Sequence, residues 1–309
     1  MFSLGTNIIK SLQTRHNNDT YCIAIEKASL SFCRISFSSQ QLIYYSLELY
    51  YDNQSNKRVY NWFRKHELMT LRTLEGLIIQ DKSRFDNFCL HNNLSKSMNI
   101  KPLYLPVTVD KCYSGELIDN FWHTKFSLDS HLKIVLYFGL IKPNVRGLEF
   151  LLSDIPEDYV VIIHGFGSPR FINALQSKSH RNNLFISTDD YKSSFIPILI
   201  NSADIGYCWY NPADPNNELT AFSSEKIALF LSLGVPIISN DSISYRQLYD
   251  YCECGIGFNP KRDNIKDTIS HIDSLYSSYS LNASLCYNRF FDFDNVCNNF
   301  LDQLRSIVN

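Results

Sequence analysis

From residue 132 onward the chain repeats one pattern: a short run of apolar residues, then a stretch with polar and apolar positions at helical spacing. The runs "LKIVLYFGL" (132–140), "YVVIIHGFG" (159–167), "NLFIS" (183–187), "DIGYCWY" (204–210), "VPIIS" (235–239) and "GIGFN" (255–259) read as strands. Helices are expected between them, over "RGLEFLLSDI", 169–178, "YKSSFIPILINSA", "SSEKIALFLSLG", "SYRQLYDYC" and "RDNIKDTISHIDSLYSS". Continuously apolar strands alternating with helices predict a parallel sheet covered on both faces. A weaker version of the pattern precedes it. There, "YCIAIEK" (21–27), "QLIYYSLEL" (41–49), "GLIIQD" (76–81) and "KPLYLPVTV" (101–109) read as strands, with a helix over "NKRVYNWFRKHELMTLRTLE". The alternation lapses over 110–129, which places a domain boundary there. The expected organisation is a first α/β domain over 1–115, a second over 116–285, and a last helix in 286–309.

A length of 309 residues is sufficient for two such cores. The chain is 45% hydrophobic and 19% charged with net charge −2, which argues against broad electrostatic binding to nucleic acid. Nine cysteines occur without a CxxC pair, and no apolar run approaches a membrane-spanning length. Scattered thiols and no secretory signal point to a cytoplasmic protein.

Ligands of open parallel sheets bind beyond the carboxyl ends of the strands. Four loops of the second domain meet that description. "FGLIKPNVRG" brings Gly139, Lys142 and Arg146; "HGFG" brings Gly165 and Gly167; the strand 204–210 opens into "NPADPNNELTAF", which leads to a helix start at Ser223, Ser224, Glu225 and Lys226. A helix N-terminus offers unpaired N–H groups and partial positive charge, Arg146 a bidentate fork and Lys142 a point charge. Together they suit a nucleoside diphosphate. Each alone is equally what a strand-to-helix turn, a helix cap or a solvated surface would use. His164 reads as a hydrogen-bonded strand-end histidine.

The ordered set "FGLIKPNVRGLEFL", "VIIHGFG", "SADIGYCWY" and "SSEKIALFLSLGVPIIS" resembles the donor-binding domain of GT-B glycosyltransferases, in particular the retaining group that builds bacterial polysaccharides and lipid-linked glycans. "GLIIQD…LYLPVTVD" resembles the end of that family's N-terminal domain. The resemblance implies an α/β fold of two Rossmann-like domains, the N-terminal one incomplete, and transfer of a sugar from a nucleotide-sugar donor to a glycan or lipid-linked acceptor. By the same resemblance Arg146, helped by Lys142, neutralises the donor diphosphate. The N–H groups of Ser224 and Glu225 cradle the distal phosphate beside Lys226, and Gly139, Gly165 and Gly167 pass near the nucleotide. The nucleotide sugar is a substrate, so no cofactor is implied, and no metal.

Two departures bear on catalysis. Many members carry two glutamates eight positions apart near this helix, where this chain has Ala221 and Leu229; Glu218 and Glu225 are out of register. The chain also begins well inside the family's N-terminal domain, so a third to a half of that domain is expected to be missing, and no acceptor-side histidine is assigned, with His16 merely in the region. Two alternatives therefore stand beside the transferase: a binding or partner subunit that has lost turnover, and, further off, a nucleotide-sugar epimerase. A separate feature is the helix carrying Lys57, Arg58, Trp62, Phe63, Arg64, Lys65 and Arg72. Basic residues among aromatics suit the surface of an anionic membrane. The preferred reading is a helix packed on its sheet with a solvated basic face, because Glu67 and Glu75 dilute the charge.

Overall fold

The computed structural model describes residues 21–36, 42–50, 58–94, 100–110, 120–152, 155–178 and 183–308. His16 and Lys57 lie outside them. The chain divides into two units, one formed by Met1–Pro106 with Val296–Asn309 and the other by Val107–Asn295. The second therefore starts earlier than the expected boundary at 115, and the end of the chain belongs to the first rather than standing apart.

In the first unit, strands β1 (Cys22–Ile25), β2 (Leu42–Tyr45), β3 (Gly76–Ile79) and β4 (Lys101–Tyr104) alternate with helices α1 (Glu26–Ser36), α2 (Arg58–Leu71) and α3 (Lys82–His91). The strands lie side by side in chain order, all parallel, with Ile43 opposite Gly76 and Leu77 opposite Pro102. Asp81 begins α3 by accepting the N–H of Arg84 at 3.0 Å, which meets one of the unpaired donors of a first helical turn. The middle strands are buried but for the half-buried Tyr45 that ends β2, as expected of parallel strands covered on both faces.

The second unit is a six-stranded, fully parallel sheet. Its chain order is α4 (Phe121–Phe126), β5 (Lys133–Ile141), β6 (Tyr159–Gly167), α5 (Pro169–Lys178), β7 (Leu184–Ser187), α6 (Ile196–Asn201), β8 (Ile205–Tyr207), α7 (Pro215–Glu218), α8 (Glu225–Ser232), β9 (Ile237–Asn240), α9 (Ile243–Cys252), β10 (Gly255–Phe258), α10 (Ile265–Ser274) and α11 (Tyr276–Phe290). Successive residues of β5 and β6 serve opposite faces. Ile134, Leu136, Val160 and Ile162 pack with Trp122, Leu199, Phe230 and Leu231 on one side. Val135, Tyr137, Val161 and Ile163 pack with Leu148, Leu175, Ile265 and Ile269 on the other. This two-sided burial is what the continuous apolar runs predicted. One expectation fails locally: "RGLEFLLSDI" forms a 3-10 turn over Leu148–Leu152 rather than an α-helix. The last helix, α12 (Phe293–Val308), runs into the first unit, where Phe300, Leu304 and Ile307 pack on Ile43, Ile78 and Leu103.

Strand order in the second sheet is β10-β9-β8-β5-β6-β7. The chain builds outward from β5 through β6 and β7, then returns to place β8 on the other side of β5. The connections leaving β5 and β8 diverge there, which opens a crevice at the carboxyl ends of these two strands.

Candidate functional site

The residues at that crevice come from three segments: the end of β5, the turn that follows it, and the loop from β8 into α8. β8 and its loop hold the turn after β5. The Tyr207 hydroxyl donates to the Gly147 carbonyl at 2.9 Å, the Asn211 N–H to Val145 at 2.9 Å, and the Asn211 side-chain amide to Asn144 at 2.8 Å. Arg146 is carried by this clamped turn. Its guanidinium lies 4.3 Å from the centre of the Tyr210 ring, and its Nη1 is buried with no hydrogen-bond partner. An orphaned buried guanidinium nitrogen is costly and marks a place for an acceptor.

Lys226 enters from the first turn of α8. Its Nζ sits 3.9 Å from the centre of the Tyr137 ring and 5.5 Å from those of Phe138 and Tyr210. Burial lowers its pKa to about 7, with Cys208 opposing the shift and the neighbouring Arg146 adding to it. Among the described residues neither cation has a carboxylate partner. The groups around them are weak acids held neutral: burial pushes the Cys208 thiol and the Tyr210 phenol each up to about 12, and raises Tyr137 further although Arg146 works against it. Two neighbouring buried cations with no carboxylate partner among the described residues attract an anion more strongly than they would at an exposed surface.

Ser224 is buried and starts α8 without capping it, because its Oγ is hydrogen-bonded to the Tyr210 hydroxyl at 2.8 Å. The first turn of α8 therefore keeps its N–H groups free of a side-chain acceptor. Gly139 has φ +123°, and a Cβ there would stand 3.6 Å from the Lys226 ammonium and 3.8 Å from the Tyr137 hydroxyl, so any side chain would enter the pocket. Arg146, Lys226, Ser224 and Gly139 are thus brought together. Of the other expected residues, Gly165 lies opposite Gly139 in the sheet and Glu225 contributes its N–H to the first turn of α8. Lys142 and the Glu225 side chain are exposed. Cβ atoms at Gly165 and Gly167 would meet the β5 carbonyls of Gly139 and Ile141, so these glycines serve strand packing. His164 is buried beside Ser187 Oγ at 3.1 Å and near the rings of Trp122 and Tyr191. The sequence reading missed Tyr137 and Tyr210, the aromatic walls. The only available signal was their position, two residues before Gly139 and at the end of the apolar run 204–210.

Ala221 is fully buried and Leu229 packs against the apolar core, so neither expected glutamate position faces the pocket with a polar group. Among the described residues no three His, Cys, Asp or Glu side chains are gathered so as to hold a metal ion. No described helix is long and apolar enough to cross a membrane.

No protein-family profile and no curated protein sequence matches this chain. Solved structures do. HepE of Anabaena, in complex with UDP, superposes with a TM-score of 0.73 at 12% identity, covering 98% of this chain and 82% of that one. A glycosyltransferase from Rickettsia africae gives 0.72 at 12% identity, over 99% and 80%. Sucrose-phosphate synthase from Thermosynechococcus elongatus gives 0.68 at 12% identity, over 99% and 78%. The fold is the GT-B glycosyltransferase fold, built from Rossmann-like parallel α/β units, as the sequence resemblance implied.

Proposed function

We propose that this chain is a glycosyltransferase that moves a sugar from a nucleoside-diphosphate sugar to a glycan or lipid-linked acceptor. One observation carries the reading: Arg146 and Lys226, without carboxylate partners, meet at the crevice between β5 and β8, with a buried guanidinium nitrogen left unbonded. A diphosphate placed there would receive charge-assisted hydrogen bonds from both cations and from the open N–H groups of α8. The same contacts would stabilise the charge that develops as the nucleoside diphosphate departs. The structural neighbours support the choice of ligand, since HepE was solved with UDP and with UDP-glucose. WaaG, described as a glycosyltransferase of lipopolysaccharide biosynthesis, also matches, with a TM-score of 0.55. The nucleotide sugar is consumed as substrate, so this reading requires no resident cofactor.

A lipid-linked acceptor would bring the protein to a membrane surface from its cytoplasmic side. The outer row of α2 and the residue after it, Arg58, Trp62, Lys65, Met69 and Arg72, is exposed and combines basic with apolar groups. It is the surface we assign to that contact.

Calorimetric titration with UDP, followed by assay of UDP-sugar hydrolysis, tests the proposal. Wild-type protein is expected to bind, and Arg146→Ala to bind about tenfold to a hundredfold more weakly, as for loss of a charged hydrogen bond. Absence of binding to UDP and the other nucleoside diphosphates would overturn it. Binding without turnover would favour the donor-binding partner subunit, which the apolar Ala221 and Leu229 positions also fit.

A further inference from the structure

A groove of about 360 Å³ opens on the surface of the second unit between the carboxyl end of α9 and the outer face of α11, lined by Asp250, Tyr251, Glu253, Asn282, Leu285 and Arg289. Along α11, Leu281, Leu285 and Arg289 stand at every fourth position and so share one row. Leu281 is 61% exposed, Leu285 54% and Tyr251 58%. A single exposed leucine is ordinary, but a row of them joined to an exposed tyrosine makes an apolar patch. The exposed Arg289 sits at its rim, with the guanidinium 5.2 Å from the centre of the Tyr251 ring and 4.9 Å from that of Phe290. These two rings hold the charge beside the patch.

The groove carries both signs of charge, and they do not meet. Among the described residues Asp250, Glu253 and Arg289 have no ion-pair partner, although all three line the same groove. Arg289 lies in the last turn of α11, where the helix dipole favours a cation. The acids are placed against the same rule: Asp250 is in the last turn of α9 and Glu253 directly follows it. Glu253 also has φ +45°, the left-handed conformation that glycine usually supplies at a helix end. Neither helix stability nor capping accounts for two acids at this point.

Opposite charges that share a groove without pairing inside one chain can pair across a two-fold axis, because a self-complementary patch meets its own image there. A second copy turned about such an axis would bring Arg289 of each chain to Asp250 and Glu253 of the other, at two equivalent contacts. Leu281, Leu285 and Tyr251 would cover their counterparts, and the Asn282 amide, which both donates and accepts, can bond to its own equivalent. Such an interface has an apolar centre, a charged rim, and the tyrosine and arginine that most often anchor protein contacts. A partner of another sequence would have to match this mixed charge independently; a second copy does so by symmetry. We infer that the face built by α9 and α11 binds a second copy of this chain in a two-fold homodimer. None of these residues belongs to the Arg146 and Lys226 site, so the inference stands apart from the glycosyl-transfer reading.

The test is sedimentation equilibrium on the full chain, as wild type and as the variants Arg289→Glu and Glu253→Arg. Wild type should sediment as a dimer. Each variant alone sets like charges opposite one another at both contacts and should weaken dimerisation by about tenfold or more. An equimolar mixture of the two variants should restore the dimer, since each contact then joins opposite charges again. Both substitutions fall on exposed side chains, and circular dichroism matching wild type separates a lost contact from a lost fold. Wild type that stays monomeric up to its solubility limit would overturn the inference. So would a dimer that both variants leave undiminished, which would place the contact elsewhere, or a loss in folded variants that mixing does not reverse.

Discussion

Lys226 presents its ammonium to the Tyr137 ring in a place where burial works against the charge, and its pKa falls to about 7. The unfolded chain holds that proton up to the ordinary lysine value of 10.5. Between about 7 and 10.5 the unfolded state therefore binds more protons than the folded one, and stability should rise with pH across this window. Below 7 both states are charged and the full desolvation penalty is present. Lys226→Met is expected to stabilise the protein by about 1–3 kcal/mol near pH 6, the gain fading toward pH 10, as read by urea unfolding at several pH values. Ligand binding responds with the opposite sign. A diphosphate favours the protonated amine, so UDP affinity should fall as pH rises above 7, with up to one proton taken up per UDP in wild type and none by this group in Lys226→Met. Calorimetry in two buffers of different ionisation enthalpy measures the uptake; equal uptake in both proteins would remove Lys226 from the site. The sequence exposed Arg146 and Lys226 as cations after a strand and at a helix start. It hid their aromatic walls, because a tyrosine in an apolar strand reads as core until the neighbouring strand is known.

At the level of elements, the clamped turn between β5 and the 3-10 turn at Leu148–Leu152 is what aims Arg146. Gly147 makes this turn possible. Its φ is +59°, and a Cβ would stand 2.5 Å from the Trp209 ring. Trp209 cannot easily yield, since its indole N–H donates to Phe258 at 3.1 Å. Gly147→Ala should therefore cost about 2–4 kcal/mol in urea unfolding, from overpacking and left-handed strain together, and should weaken UDP binding by displacing Arg146. Unchanged affinity would show that the turn does not position the guanidinium. The misread helix here has a local cause: Tyr207 and Asn211 bond the turn's carbonyls, which leaves little room for a regular α-helix before Pro156. Helix α4 was missed because its six residues have no side-chain cap and end in a left-handed Ser127. α2 sorts its residues as the sequence alone could not, with Arg64 and Glu67 paired inside and Lys65 and Arg72 outside. Lys65→Glu combined with Arg72→Glu should abolish co-sedimentation with vesicles of anionic phospholipid at low salt while UDP binding persists. Wild type that stays in solution with such vesicles would remove the membrane surface from the reading.

Across the whole molecule, the alternation of apolar runs and helices was enough to name the α/β class and six strands in the second unit. Strand order was not legible, because parallel strands of similar composition carry no mark of their neighbours. Yet the site depends on it: only when β8 lies beside β5 do the Arg146 turn and the Lys226 helix share a crevice. The end of the chain shows the same limit. An amphipathic last helix was expected from the sequence, but the unit that receives it was not, since its apolar row could cover either sheet. In the structure Ile307 lies beside β3, with its Cδ1 3.1 Å from where a Cβ at Gly76 would stand, and the missing side chain makes room for it. Ile307→Ala should leave a cavity there and cost about 2–4 kcal/mol. The loss belongs to the first unit, so thermal unfolding followed by calorimetry should show one transition lowered and a second, sensitive to UDP, unmoved. A single transition that shifts as a whole would instead mean that the two cores unfold together.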